Sequence, residues 1–142
     1  MKDPAIKPEH TALSATPKPP RDEPAIRVVM MPRDTNSQGK IFGGVLLSYI
    51  DQAAFVEARR QACHRYVTVT MDKVEFKQPV DVGDVLAFYA ETVRIGRTSI
   101  HLHVKVFDDR CTEPDVTVPV TQADVVMVAV DSGGRPTPIR PN

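Results

Sequence analysis

The spacing of apolar and polar residues changes several times along the chain. Ile26 to Met31 forms a short β-like run that Pro32 ends. Residues 34–40 are rich in turn-formers and predict a loop. From Gly43 to about Ala62 the period is helical. Val45, Leu46, Tyr49, Ile50, Ala53 and Ala54 recur on one wide apolar face, and no proline interrupts them. The period then becomes two, with Val67, Val69 and Met71 alternating with Thr68, Thr70 and Asp72. Residues 79–84 (Pro-Val-Asp-Val-Gly-Asp) predict a turn before a strand over 85–93, and Ile95-Gly96-Arg97 is a tight connection. Ile100, Leu102, Val104 and Val106 then alternate with His101, His103 and Lys105, as in a strand with one buried face. Residues 110–119 predict a loop. Residues 120–130 form a last strand, more apolar than the others and therefore expected in the interior of the sheet, which the 131–134 turn ends.

One strand, one long helix and several strands joined by short turns favour antiparallel neighbours, with the helix covering one sheet face. The expected fold is α+β: a curved antiparallel sheet of five to six strands wrapped around one long central helix.

Composition sharpens this picture at the N-terminus. Six of the 13 prolines (Pro4, Pro8, Pro17, Pro19, Pro20 and Pro24) lie within residues 1–25. With mostly small apolar residues and mixed charges, that zone cannot bury enough surface to offset its ordering entropy. It reads as a flexible tail ahead of a single domain over residues 26–139, within a chain of 142 residues. The 18 basic and 18 acidic residues balance, no basic block appears and tryptophan is absent, which argues against nucleic-acid binding. No apolar run approaches the roughly 20 residues that span a membrane. Cys63 and Cys111 lack metal-ligand spacing and, with no recognisable signal peptide, read as reduced packing residues in a cytoplasmic protein.

The chemistry concentrates between Met30 and Asp51. Residues 30–36 (Met-Met-Pro-Arg-Asp-Thr-Asn) and 39–44 (Gly-Lys-Ile-Phe-Gly-Gly) lead into the helix, and Asp51 follows about two turns later. Exposed N–H groups at a helix start can hold a developing oxyanion, and a carboxylate can act as base or nucleophile. Each part also has a plainer reading. Gly43-Gly44 allows a sharp loop-to-helix turn, Asn36 satisfies loop backbone, and Asp51 reaches water from the edge of a polar stripe formed by Ser48, Gln52 and Arg59. A rise of about 12 Å separates Gly43 from Asp51 along one helix. If both act on one carbonyl, a second copy of the chain must supply one of them.

Elsewhere the signals are weaker. His101 and His103 share a strand face, but no third ligand is suitably placed and Lys105 continues the row, so a solvated face is expected rather than a metal site. Cys63 and His64 are helix neighbours that point apart. Arg59, Arg94 and Arg97 could each meet phosphate, and only Arg97 sits in a motif.

Taken in order and spacing, these stretches resemble the hotdog-fold acyl-CoA thioesterases, in particular the YciA-like and cytosolic acyl-CoA hydrolase group. The resemblance spans about residues 26–139. It continues through Val67-Thr68-Val69, Phe76, the 79–84 turn, Gly96-Arg97-Thr98-Ser99 and Val128-Ala129-Val130-Asp131. It implies a hotdog fold and hydrolysis of acyl-CoA to a free acid and CoA, with no cofactor and no metal. It assigns Asp51 as the catalytic aspartate, Asn36 as the loop asparagine, and Gly43 and Gly44 as the backbone facing the thioester carbonyl. It places Gly96, Arg97, Thr98 and Ser99 near CoA. It further implies a homodimer as the minimal active unit and a hexamer built as a trimer of dimers. Gln52 and Phe55 add bulk where family members often carry small residues, so acyl preference does not transfer. Two other readings stay open: an acyl-CoA-binding module without turnover, and an acyl-thioester dehydratase or isomerase. Against the latter, no histidine lies between Ile26 and Cys63.

Overall fold

The computed structural model describes residues 22–109 and 117–140. Most of the proline-rich zone, Cys111 and most of the 110–119 loop lie outside the described residues. Five strands and one long helix follow one another: β1 (Ile26–Val29), α1 (Gly43–Gln61), β2 (Arg65–Phe76), β3 (Val85–Ile95), β4 (Ser99–Asp109) and β5 (Thr117–Val130). Pro32–Asp34 adds a turn of 3₁₀-helix. The strands form one antiparallel sheet in the order β1-β3-β4-β5-β2. As expected from its apolar sequence, β5 is an interior strand, flanked by β4 and β2.

The helix lies on the inner face of the sheet, as the one-sided apolar pattern requires. Leu46, Ile50, Ala53 and Ala54 are buried, against Phe88, Leu102, Val104 and Met127 among others. Ala53, Ala54 and Ala58 are fully buried, and their small side chains let the helix approach the strands closely. A larger side chain at any of the three would overpack this layer. The polar residues Glu57 and Gln61 are buried as well, which the helical pattern did not reveal. Glu57 accepts from Arg60 Nε at 2.8 Å, from Gln61 Nε2 at 2.8 Å and from Thr92 Oγ1 at 2.8 Å, tying the helix to β3.

Strand β2 departs from the simple alternation in its sequence. Thr68 lies opposite Met127, whereas Thr70 lies opposite Val126, so Val69 is an extra residue, a bulge that shifts the phase by one. Val67 and Val69 are 46% and 52% exposed, while Met71 turns inward against the core. A second irregularity between Asp72 and Glu75 includes Lys73, at φ 51°, and returns Phe76 to the inner face opposite Thr121. The far edge of this 12-residue strand pairs with no described strand.

Candidate active site

The loop before the helix is built by its own side chains. Asp34 Oδ2 accepts the Met31 N–H at 3.0 Å, and Thr35 Oγ1 donates to the Pro32 carbonyl at 2.7 Å. Asn36 Oδ1 accepts two backbone N–H groups, from Gln38 at 2.8 Å and Lys40 at 3.1 Å. The Asn36 backbone closes the same turn by donating to the Lys40 carbonyl at 2.7 Å. Gly39, at φ 78°, supplies the left-handed conformation that this tight turn needs. The plain reading of Asn36 therefore holds for its oxygen. Its Nδ2 is a separate donor, which the loop does not use among the described residues.

The loop is then fastened to the 79–84 turn. Ile41 N–H donates to the Val80 carbonyl at 2.9 Å, and Lys40 Nζ meets Asp81 Oδ1 at 2.6 Å. This delivers the chain to the helix with Phe42 at the N-cap and no side chain capping the first turn. Among the described residues no acceptor is placed against the N–H of Gly43 or Gly44, so the positive end of the helix is open.

The two glycines differ. A β-carbon on Gly43 would stand 3.0 Å from the tip of the Phe76 ring, so this glycine makes room for β2. A β-carbon on Gly44 would meet nothing within 4 Å, and Gly44 does not have the positive φ of Gly39, Gly83 and Gly134. Nothing within the single chain requires a glycine at position 44.

Asp51 is half-buried, and Thr68 Oγ1 donates to its Oδ1 at 2.5 Å. The acid is thus held between helix and strand rather than extended into water. The bulge at Val69 makes this possible, because it lets β2 present Thr68 inward and still bury Met71. Thr68 belongs to the site, yet nothing in the sequence alternation distinguishes it from Thr70.

The 96–99 turn lies near this end of the sheet. Thr68, Met127, Ile100 and Ile95 are successive neighbours across β2, β5, β4 and β3. Two strand spacings, about 10 Å, therefore separate Thr68 from Ile100 at the turn. Gly96 N–H donates to the Ser99 carbonyl, while the Thr98 and Arg97 carbonyls accept from Ala129 and Ile139, which fixes the turn and leaves Arg97 exposed.

One chain therefore divides the candidate residues into two groups. Asp51, Thr68 and the 96–99 turn lie toward one end, while Asn36, Gly43, Gly44 and Phe76 lie toward the other. Along β2, Thr68 and Phe76 are up to about 26 Å apart. The structure does not bring Asp51 and the glycines together within one protomer.

The remaining candidates are engaged elsewhere. His101 Nε2 meets Arg94 Nη2 at 2.8 Å, and His103 Nδ1 meets Asp124 Oδ1, so the expected solvated face is a set of side-chain pairs. Burial, and then the Arg94 guanidinium, hold the His101 imidazole below its usual range. Cys63 Sγ accepts from Arg59 and His64 Nε2 meets the Ile139 carbonyl, so these two do not form a nucleophile–base pair. Phe55 packs edge-on against Tyr66, beneath Arg59. Burial pushes the Tyr66 phenol up to about 12, against the opposing pull of Arg140 and Arg59.

Residues 38–114, which include the double glycine, Asp51 and Thr68, match the thioesterase superfamily. The chain belongs to that family. An acyl-CoA thioester hydrolase of Zymomonas mobilis, itself uncharacterised, is 41% identical over 128 residues, covering 90% of this chain and 85% of its own. The acyl-CoA thioester hydrolase YciA of Salmonella typhimurium is 38% identical, covering 84% and 92%. Among solved structures, a hexameric hotdog-fold thioesterase of Campylobacter jejuni superposes with a TM-score of 0.78 at 44% identity, covering 84% and 93%. The sheet curled around one helix is the hotdog fold anticipated from the sequence. No helix among the described residues is long and apolar enough to cross a membrane.

Proposed function

We propose that this protein hydrolyses acyl-CoA thioesters to a carboxylic acid and CoA, in a site shared between two copies of the chain. The observation that carries the proposal is the division of the site. The acid and the open helix start lie apart in one protomer, on either side of an unpaired strand edge. A 12-residue edge with half-exposed valines is an aggregation hazard unless it is paired. An isologous antiparallel pairing of β2 with its own copy removes that hazard. Centred near Asp72, such a pairing sets Thr68 of one protomer against Phe76 of the other. Each Asp51 then faces its partner's Gly43 and Gly44.

In that arrangement the thioester carbonyl oxygen accepts from the N–H of Gly43 or Gly44. The partner's Asp51 takes a proton from water as the water oxygen attacks the carbonyl carbon. Alternatively, its carboxylate attacks directly, and water hydrolyses the resulting mixed anhydride. In either route the C–S bond breaks and the CoA thiolate leaves and is protonated. A thiolate leaves readily, so strong acid assistance is not required. Thr68 positions the carboxylate, and Asn36 Nδ2 is free to orient the water or the carbonyl. The fixed turn Gly96-Arg97-Thr98-Ser99 offers backbone and the Arg97 guanidinium to CoA.

The relatives extend the reading. The Campylobacter jejuni protein is hexameric, and a trimer of dimers is the corresponding assembly here. We assign residues 26–139 to the thioesterase domain, residues 1–25 to a tail outside it, and the protein to the cytoplasm.

Mixing two damaged chains tests the sharing. Asp51→Asn alone lowers kcat by about 10²–10⁴-fold, read as thiol release from a panel of acyl-CoAs. Refolding that variant together with an inactive Gly44 variant rebuilds one intact site in each mixed dimer. Random pairing then restores about a quarter of the wild-type activity. Unchanged kcat in Asp51→Asn on every ester removes the acid from the chemistry, and no recovery on mixing places both groups in one protomer.

A further inference from the structure

We infer that Phe76 is the specificity-determining residue of this site, the wall against which the acyl group is measured. The inference rests on the thioesterase reading above and adds a role for a side chain outside the acid, the loop amide and the glycines.

Four observations carry it: the exposure of the ring, its approach to Gly43, the groove it borders and the irregularity that sets its phase. Phe76 is 54% exposed, although it occupies an inward-facing position opposite Thr121, which is 2% exposed. An aromatic ring on the core side of a sheet normally buries most of its surface. This one instead projects over the first turn of the helix, where its tip would stand 3.0 Å from a Gly43 β-carbon. The ring is therefore within contact range of the main chain whose N–H groups polarise the carbonyl.

The ring also borders a groove of about 380 Å³ with an apolar floor of Ile41, Leu46 and Val80 and with Lys40 and Lys77 at its rim. The three floor residues are 7%, 3% and 2% exposed, so the floor is held by the core and does not yield easily. Phe76 is the less tightly packed side. It stands at the last position of β2 with its ring half exposed in the single chain, so in the proposed β2–β2 dimer it faces the shared site, and a modest χ rotation would widen or narrow the space beside the helix start. An uncharged hydrocarbon acyl chain suits that floor. A carboxylated acyl group would have to leave water there without a buried cation to pair with.

The register of β2 supports the same role. Phe76 is held in phase by the irregularity at Lys73, without which β2 would turn this side chain to the outer face. The strand accepts a left-handed lysine, a costly conformation for a residue with a β-carbon, and the ring is set at the helix start as a result.

Two substitutions of opposite size test this: Phe76→Leu and Phe76→Trp, each assayed for kcat/KM on straight-chain acyl-CoAs from acetyl to palmitoyl, with the oligomeric state checked alongside. Phe76→Leu shifts the preference toward longer or bulkier acyl groups and Phe76→Trp toward shorter ones, each changing the long-to-short ratio by about tenfold. A profile that keeps its shape in both variants, with wild-type oligomeric state, overturns the inference. Gly43→Ala adds an independent reading. If the ring is the obstacle to a methyl there, Gly43→Ala combined with Phe76→Leu recovers activity that Gly43→Ala alone loses, and no recovery counts against the contact. Failure of the thioesterase reading looks different, because the wild-type protein then releases no thiol from any ester.

Discussion

Replacing Gly44 by alanine separates what the helix wants from what the site wants. The position has ordinary helical backbone geometry, and an added β-carbon meets nothing within 4 Å. In the isolated chain alanine is therefore the better residue. It restricts the unfolded state and suits the helix, contributing about 0.4–1 kcal/mol. For a domain of this size that corresponds to a Tm rise of about 1–4 °C. The same methyl stands beside the open N–H groups, where the proposed mechanism has the thioester carbonyl approach. Loss of one such donor commonly costs about 10²–10³-fold in kcat. The variant should melt higher and turn over at least tenfold more slowly. Thermal melts, size-exclusion chromatography and thiol-release kinetics on one preparation decide the matter. A stabilised variant with wild-type kcat and kcat/KM would refute the reasoning, since nothing would then approach the bare backbone. A destabilised variant with altered oligomeric state would show that partner atoms, not substrate, fill the space.

Thr68→Val keeps the shape of the side chain but removes the donor to Asp51. It should lower kcat by about tenfold with little change in KM, since the hydroxyl is spent on holding the acid. Equal losses in both parameters would argue against a positioning role. Glu57→Ala strips Arg60, Gln61 and Thr92 of a shared acceptor and should cost about 3–5 kcal/mol. That appears as a Tm about 10 °C lower, and a shift below about 2 °C would contradict it. His101 titrates below its ordinary range in the folded protein, so on acidification the unfolded chain takes up its proton first. Stability from this residue is complete above about pH 6.5 and falls as pH drops toward the folded-state value. His101→Gln should flatten Tm against pH over that window, and identical slopes would sink the assignment.

Much of this arrangement was legible in the sequence, for identifiable reasons. The helix announced itself because one apolar face ran uninterrupted from Val45 to Ala54, and the structure buries that face. The 79–84 turn and the Ile95-Gly96-Arg97 connection were legible because turn chemistry is local. Strand β2 was not. Its alternation suggested a single phase for Val67, Val69 and Met71, but two added residues divide the strand into three phases. No local signal marks Val69 as the extra one. The burial of Glu57 and Gln61 was not legible, because buried polar side chains are disclosed only by their partners, and Thr92 lies on another strand. Asn36 was ambiguous between loop closure and chemistry because one amide can serve both, closing the loop through its oxygen and leaving its nitrogen available. The separation of Asp51 from the glycines followed from helical rise alone, and the contacts with Thr68 and Phe76 show which ends of β2 they occupy.

The extra valine in β2 has a consequence for how this protein can change. A strand without it would have to choose, over residues 68–72, between a hydroxyl beneath the acid and a hydrophobic plug in the interior. With it, both demands are met on neighbouring stretches of one ribbon. Single-residue deletions are usually judged by the length of chain they remove, but here the damage would be one of parity. Losing Val69 would invert every side chain on one flank while leaving composition and hydrogen-bonding capacity almost unaltered. The protein should therefore tolerate many substitutions at that position and no shortening.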